Sequence, residues 1–168
     1  MTGEGTIRTP VAADAPAIAR VHIDTWRETY SGHMTDSYFD EDSYRRRLEM
    51  WTHVLGPQGR PGARVVAERD GEIVGFATAG SSDSNDARNG HEPVRDLHLY
   101  AVYLLAREHG RGLGQQMVDA VVGSQPAQLW VMRGNDRAIA FYRRNGFEFD
   151  GVEVARDDLG VVELRMVR

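Results

Sequence analysis

A mixed α/β fold is predicted by three features of the chain. Two N-terminal segments repeat apolar residues at helical spacing. Apolar runs of strand length recur through the middle and the end. An Asp-Gly pair and a glycine-rich hexapeptide punctuate those runs. The predicted order is β-α-α-β-β-β-α-β-α-β-β.

Residues 6–9 (TIRT) form a short first strand. A helix follows over 14–30, with Asp14 as its cap and Pro16 in the first turn, where a missing N–H costs little. Ile18, Val21, Thr25 or Trp26, and Tyr30 share a stripe, and Ser31-Gly32 stops the helix. The second helix spans 41–55, with Tyr44, Leu48, Trp51 and Leu55 at helical spacing. Residues 56–62 are a Gly/Pro-rich loop. Strands at 63–69 and 72–80 flank Asp70-Gly71, a strong hairpin signal. The polar segment 81–95 reads equally as a loop beside a site or as a plain solvated connection. A strand over 97–105 leads into the glycine turn 109–114 and a helix that runs to about Val122. A strand over 127–132 and a short helix over 135–147 come next, with Asn135 or Asp136 at the cap and Gly146 past the end. Strands at 148–155 and 161–167 close the chain.

With 168 residues the chain fits one domain that needs no staple. Hydrophobic residues at 41% and charged residues at 27% are values of a soluble protein. The absence of cysteine excludes disulfides, thiolate metal sites and Cys nucleophiles. No secretory leader or membrane-length apolar run is visible, so a cytoplasmic location is expected. A net charge of −5 argues against general nucleic-acid binding. The six histidines show no metal-ligand spacing, so no metal is expected.

The hexapeptide His109-Gly110-Arg111-Gly112-Leu113-Gly114 sits between a strand and a helix. That is the geometry of an anion site, because the first helical N–H groups lack partners and glycine lets phosphate oxygens approach. It is neither a Walker A loop nor a dinucleotide fingerprint. A tight turn with no ligand is the competing reading.

Residues from about 95 to 168 add Asn135 and the run Ala138-Ile139-Ala140-Phe141-Tyr142-Arg143-Arg144-Asn145-Gly146-Phe147. Together with the glycine turn these resemble the GNAT superfamily of acetyl-CoA-dependent N-acetyltransferases. The front stretch from Trp26 to Gly32 looks like small bacterial members too. His109 departs from the Gln or Arg usual there, and Ala106 from a common Pro. The resemblance implies one domain over 1–168, with a mostly antiparallel twisted sheet of six to seven strands flanked by about four helices.

It implies acetyl-CoA as cosubstrate, held by residues 109–114, with Arg111 adding charge near the phosphates. His109 would contribute its amide. Val102, Tyr103 and Leu104 would pair with the pantetheine arm as with an added strand. Asn135, Ala138 and Phe141 would line the arm. Tyr142 matches the general acid, since a phenol of ordinary pKa ~10 can protonate a leaving thiolate. His98 is the candidate base, with Asp96, Glu72 and water as rivals. Trp26, Glu28 and Tyr30 are candidates for the acceptor site, although aromatic residues at helical spacing also serve as core anchors. The implied activity is acetyl transfer to a primary amine of a small molecule or peptide by direct attack in a ternary complex. A non-catalytic acyl-CoA sensor of the same fold is the alternative, and Tyr142 favours the enzyme. A homodimer is expected by analogy alone, with no membrane or nucleic-acid partner.

Overall fold

Seven strands and four helices follow the predicted order in the computed structural model, which describes residues 3–82 and 90–168. Most of the predicted 81–95 loop, residues 83–89, lies outside the described residues. The strands are β1 (Thr6–Arg8), β2 (Ala63–Arg69), β3 (Glu72–Ser81), β4 (Leu97–Leu104), β5 (Gln128–Met132), β6 (Glu148–Arg156) and β7 (Val161–Val167). The helices are α1 (Ala15–Tyr30), α2 (Glu41–Leu55), α3 (Leu113–Val121) and α4 (Asp136–Arg144). The sheet order is β1-β2-β3-β4-β5-β7-β6. Strands β1 and β2 are antiparallel, as are β5 with β7 and β6 with β7, while β4 and β5 run parallel with His98 opposite Gln128. Among the described residues no helix is long and apolar enough to cross a membrane.

The chain divides into two compact units. One comprises Met1–Thr78 and Ala101–Gly123, the other Ala79–Tyr100 and Ser124–Arg168. In the first, α1 packs on α2, and α3 packs on β1 and β2. Its core holds Ile18, Ile23, Val66, Phe76, Leu113 and Met117, all essentially inaccessible. The Asp70-Gly71 turn takes left-handed backbone at both positions (φ 52° and 80°), as a two-residue hairpin with the right twist requires. Gly75 is needed for close approach: a Cβ there would stand 2.7 Å from both the Tyr103 carbonyl oxygen and a Leu104 methyl. Gly75→Ala is therefore expected to destabilise the fold by about 1–3 kcal/mol, read as a lower denaturant midpoint; an unchanged midpoint would contradict this packing.

Asp14 is not the side-chain cap that the sequence predicts. A short 3₁₀ turn over Ala12–Asp14 precedes α1, so Asp14 is already helical and its side chain turns back. The carboxylate accepts from the Val11 amide at 2.7 Å and from Arg8 Nη1 and Nη2 at 2.8 and 3.0 Å. That pairing with Arg8 holds the Asp14 carboxyl below its usual range.

The second unit is built on β5, β6, β7 and α4, over Leu129, Phe147 and Met166. Asn135 does cap α4, its Oδ1 accepting from the Ala138 amide at 3.4 Å, and Gly146 follows the helix in left-handed backbone (φ 84°). Arg165, buried among these strands, donates to Asp150 at 2.7 Å and to the Glu92 carbonyl at 3.0 Å.

Candidate active site

The first unit carries the glycine turn. Strand β4 ends at Leu104, and the Leu105 amide extends its pairing by donating to the Val74 carbonyl at 3.0 Å. A 3₁₀ turn over Ala106–Glu108 follows. Glu28 of α1 holds the start of this turn, its Oε2 accepting from the Ala106 amide at 2.8 Å. Glu108 holds the other end from beneath, buried and bonded to Arg69 Nε at 2.6 Å. The His109 amide closes the turn onto the Ala106 carbonyl at 3.1 Å, and its Nε2 donates to the Leu104 carbonyl at 2.7 Å. The His109 amide is thus committed inside the turn, and the backbone open to a ligand begins at Gly110.

Gly110 and Gly112 have φ of 76° and 84°, a region costly for other residues. A Cβ at Gly110 would meet nothing within 4 Å, and one at Gly112 only the Gln116 side chain at 3.9 Å. The glycines therefore set the backbone path and leave space above it. Gly112 is the N-cap of α3, and no side chain caps that end. Gln116 is the first amide to find an acceptor within the helix, on the Gly112 carbonyl at 3.1 Å. The amides of Leu113 and Gly114 point along the axis with the positive end of the helix dipole. Arg111, half exposed, stands 4.0 Å from Glu108 and adds positive charge at the rim.

An aromatic cluster adjoins β4 in the same unit. Tyr103 stacks on His22 (5.4 Å, 24°) and meets Phe76 and Trp26 edge-on. Trp26 and Tyr30 lie edge-to-face at 5.1 Å, whereas Glu28 is turned to the Ala106 amide. His22 Nδ1 accepts from the Trp51 indole N–H at 3.2 Å. Burial, helped by the charge of Arg47, pushes His22 down to about 3. Because the unfolded chain then binds that proton more readily, stability is full above pH ~6.5 and falls as the pH drops toward 3. Between pH 7 and 5 the loss is expected to reach roughly 2 kcal/mol, and His22→Asn, which keeps an acceptor for Trp51, should flatten it in denaturant titrations. An equal slope in both proteins would contradict the assignment. Sequence reading passed over His22, Arg47 and Trp51 as site residues. Arg47 was detectable, since it stands three residues after Tyr44 and four before Trp51, on the inward stripe of α2.

The second unit carries the other candidates. Ala138, Phe141 and Tyr142 fall on one side of α4, and Asn135 caps it. Tyr142 is half-buried, with its ring edge-on to Phe141 at 5.6 Å and Phe147 at 6.1 Å. His98 is buried, stacked on Tyr100 at 5.2 Å. Its Nδ1 lies 3.3 Å from Gln128 Nε2. Gln128 Oε1 accepts from the Val94 and Arg95 amides at 2.8 and 3.0 Å, so its nitrogen is the end facing the ring. His98 therefore accepts at Nδ1 and carries its proton on Nε2. Of the rivals, Asp96 is exposed, and Glu72, which belongs to the first unit, is exposed and paired with Arg107 at 3.5 Å. Among the described residues no cluster of three His, Asp or Glu side chains gathers to hold a metal.

The model of the Acetyltransferase (GNAT) family matches residues 18–147. An uncharacterized N-acetyltransferase of Bacillus subtilis, YuaI, is 27% identical over 97% of this chain and 96% of its own length. The L-methionine sulfoximine/L-methionine sulfone acetyltransferase of Pseudomonas aeruginosa is 30% identical over 87% of this chain and 81% of its own. Among solved structures, PaiA N-acetyltransferase from Thermoplasma acidophilum in complex with coenzyme A superposes with a TM-score of 0.68 at 16% identity, covering 97% of this chain and 98% of that one. An N-acetyltransferase from Staphylococcus aureus gives 0.70 at 14%, covering 97% and 100%.

Proposed function

This chain belongs to the acetyltransferase (GNAT) family, and we propose that it moves the acetyl group of acetyl-CoA directly to a primary amine of a small molecule. The observation that carries the reading is the uncapped N-terminus of α3 behind two left-handed glycines with open space above them. The amides of residues 110–114 hold the pyrophosphate, and Arg111 swings from Glu108 to add a charge-assisted bond. Val102, Tyr103 and Leu104 pair their backbone with the pantetheine arm. Asn135, Ala138 and Phe141 line that arm from α4.

The neutral amine attacks the thioester carbonyl, forming the C–N bond and a tetrahedral oxyanion. A backbone amide near Leu104 stabilises the oxyanion; the Leu105 amide is not available, being bonded to Val74. The C–S bond then breaks, and Tyr142 gives its phenolic proton to the leaving thiolate. The proton lost by nitrogen passes to water, because the acceptor nitrogen of His98 is engaged by Gln128. The relative from Pseudomonas aeruginosa is named an acetyltransferase of L-methionine sulfoximine and L-methionine sulfone, both small molecules, which supports a small acceptor.

The test is thiol release from acetyl-CoA across a panel of amines, polyamines, amino acids and peptides. Amine-dependent release with N-acetylated product by mass spectrometry is expected; acetyl-CoA binding without release on any amine would replace the enzyme by a sensor.

A further inference from the structure

Three consecutive arginines on α2 have three different fates. Arg45 pairs with Asp42 at 3.1 Å at the surface, and Arg46 donates to the Ser43 hydroxyl at 2.7 Å. Arg47 turns inward. Its guanidinium carbon lies 5.1 Å from the centre of the Trp26 ring. Among the described residues its one hydrogen bond, from Nη1 to the Tyr38 carbonyl, is 3.5 Å long, and its Nε is buried with no acceptor. The indole N–H of Trp26 is likewise buried with no acceptor. Two strong donors, one of them charged, thus lack a partner in one cluster among the described residues.

Such an arrangement is costly if it only supports the fold. Elsewhere this chain pairs its inward arginines with carboxylates: Arg69 with Glu108 at 2.6 Å, and Arg165 with Asp150 at 2.7 Å. Among the described residues no carboxylate pairs with Arg47, and the neighbouring Arg46 adds a like charge. Burial holds Arg47 below the ordinary guanidinium range. His22 is neutral and cannot supply an anion. Arg47 and Trp26 are each half-buried as residues, not sealed in the core. A guanidinium is a planar fork of five donors suited to a carboxylate, and an indole adds one more.

We infer that Arg47, stacked over the Trp26 ring, binds a carboxylate carried by the acceptor, which makes the acceptor an amino acid. The inference rests on the acetyl-transfer reading, because Tyr103 belongs both to this cluster and to the strand end assigned there to the pantetheine arm. An acceptor anchored at Arg47 presents its α-amine near that arm, with the carboxylate fixing its orientation.

The test separates binding from chemistry. Protein saturated with desulfo-CoA is titrated calorimetrically with α-amino acids and with their carboxamides, which keep the amine and lose the charge. The wild type is expected to favour at least one amino acid over its carboxamide by about thirtyfold or more. Arg47→Gln should abolish that preference, Arg47→Lys should restore part of it, and Arg45→Gln should retain it. Because Arg47→Gln removes a buried charge that has no carboxylate, its Tm should equal or exceed that of the wild type. Equal binding of amino acids and carboxamides by the wild type, or binding of neither, overturns the inference. So does an Arg47→Gln protein that melts lower and keeps the preference, which would make Arg47 a support of the fold. Preference in binding without thiol release from acetyl-CoA would uphold the carboxylate site and overturn the transfer reading alone.

Discussion

Replacing Tyr142 by Phe is expected to lower kcat for acetyl transfer by about a hundredfold to a thousandfold and to leave the Kd of acetyl-CoA nearly unchanged. The substitution removes one oxygen and little else. The ring keeps its edge contacts with Phe141 and Phe147, and the Tyr142 backbone carbonyl still accepts from the Phe147 and Asn145 amides at 3.1 and 3.0 Å. A kcat deficit at unchanged acetyl-CoA affinity therefore reports on the part the hydroxyl plays in the reaction. The deficit should shrink with an acyl donor whose thiol is more acidic, because a better leaving group needs less help. Stopped-flow thiol release with both donors gives the numbers. Equal turnover by mutant and wild type would remove Tyr142 from the chemistry.

The second large effect is expected at Gly112. An Asp there should raise the Kd of acetyl-CoA by about thirtyfold or more, while Ala at the same position does so much less. Both substitutions impose the left-handed φ of 84° on a residue with a Cβ, at about 1–2 kcal/mol. Their difference is the carboxylate, which would occupy the N–H groups of α3 and repel the pyrophosphate. Similar melting temperatures for the two variants, with binding lost mainly in the Asp form, is the expected pattern. Binding reduced equally by Ala and Asp would mean that backbone path alone matters.

Much of this architecture is legible in the sequence because local chemistry and tertiary need agree. The bounds of α2, β2 and β7 follow from periodicity and flanking breakers, and Asp70-Gly71 makes the hairpin by backbone preference alone. Helix α3 starts at Leu113, earlier than the predicted 115, because one glycine within a first turn is tolerated when the helix face is buried. Asp14 stands at the N-cap position of α1 but makes no capping bond, because Arg8, on another element, outcompetes the helix terminus for its carboxylate. The same reason hides the finer site. That Glu28 serves Ala106, that the His109 amide closes a turn, and that Gln128 fixes the His98 tautomer are all matters of which neighbour folding brings near. Arg47 lay in a run of charge that reads as solvated, and only its register with Tyr44 and Trp51 marks it as inward. The division into two compact units has no composition shift or linker to announce it.

Calorimetric titration with acetyl-CoA, with NAD and desulfo-CoA as comparisons, decides whether the glycine turn is a coenzyme A site. Saturable binding of acetyl-CoA and desulfo-CoA is expected, with no binding of NAD and loss of coenzyme binding in Gly112→Asp. A folded protein that binds no coenzyme A derivative would reduce HGRGLG to a tight turn and contradict the assignment of this site.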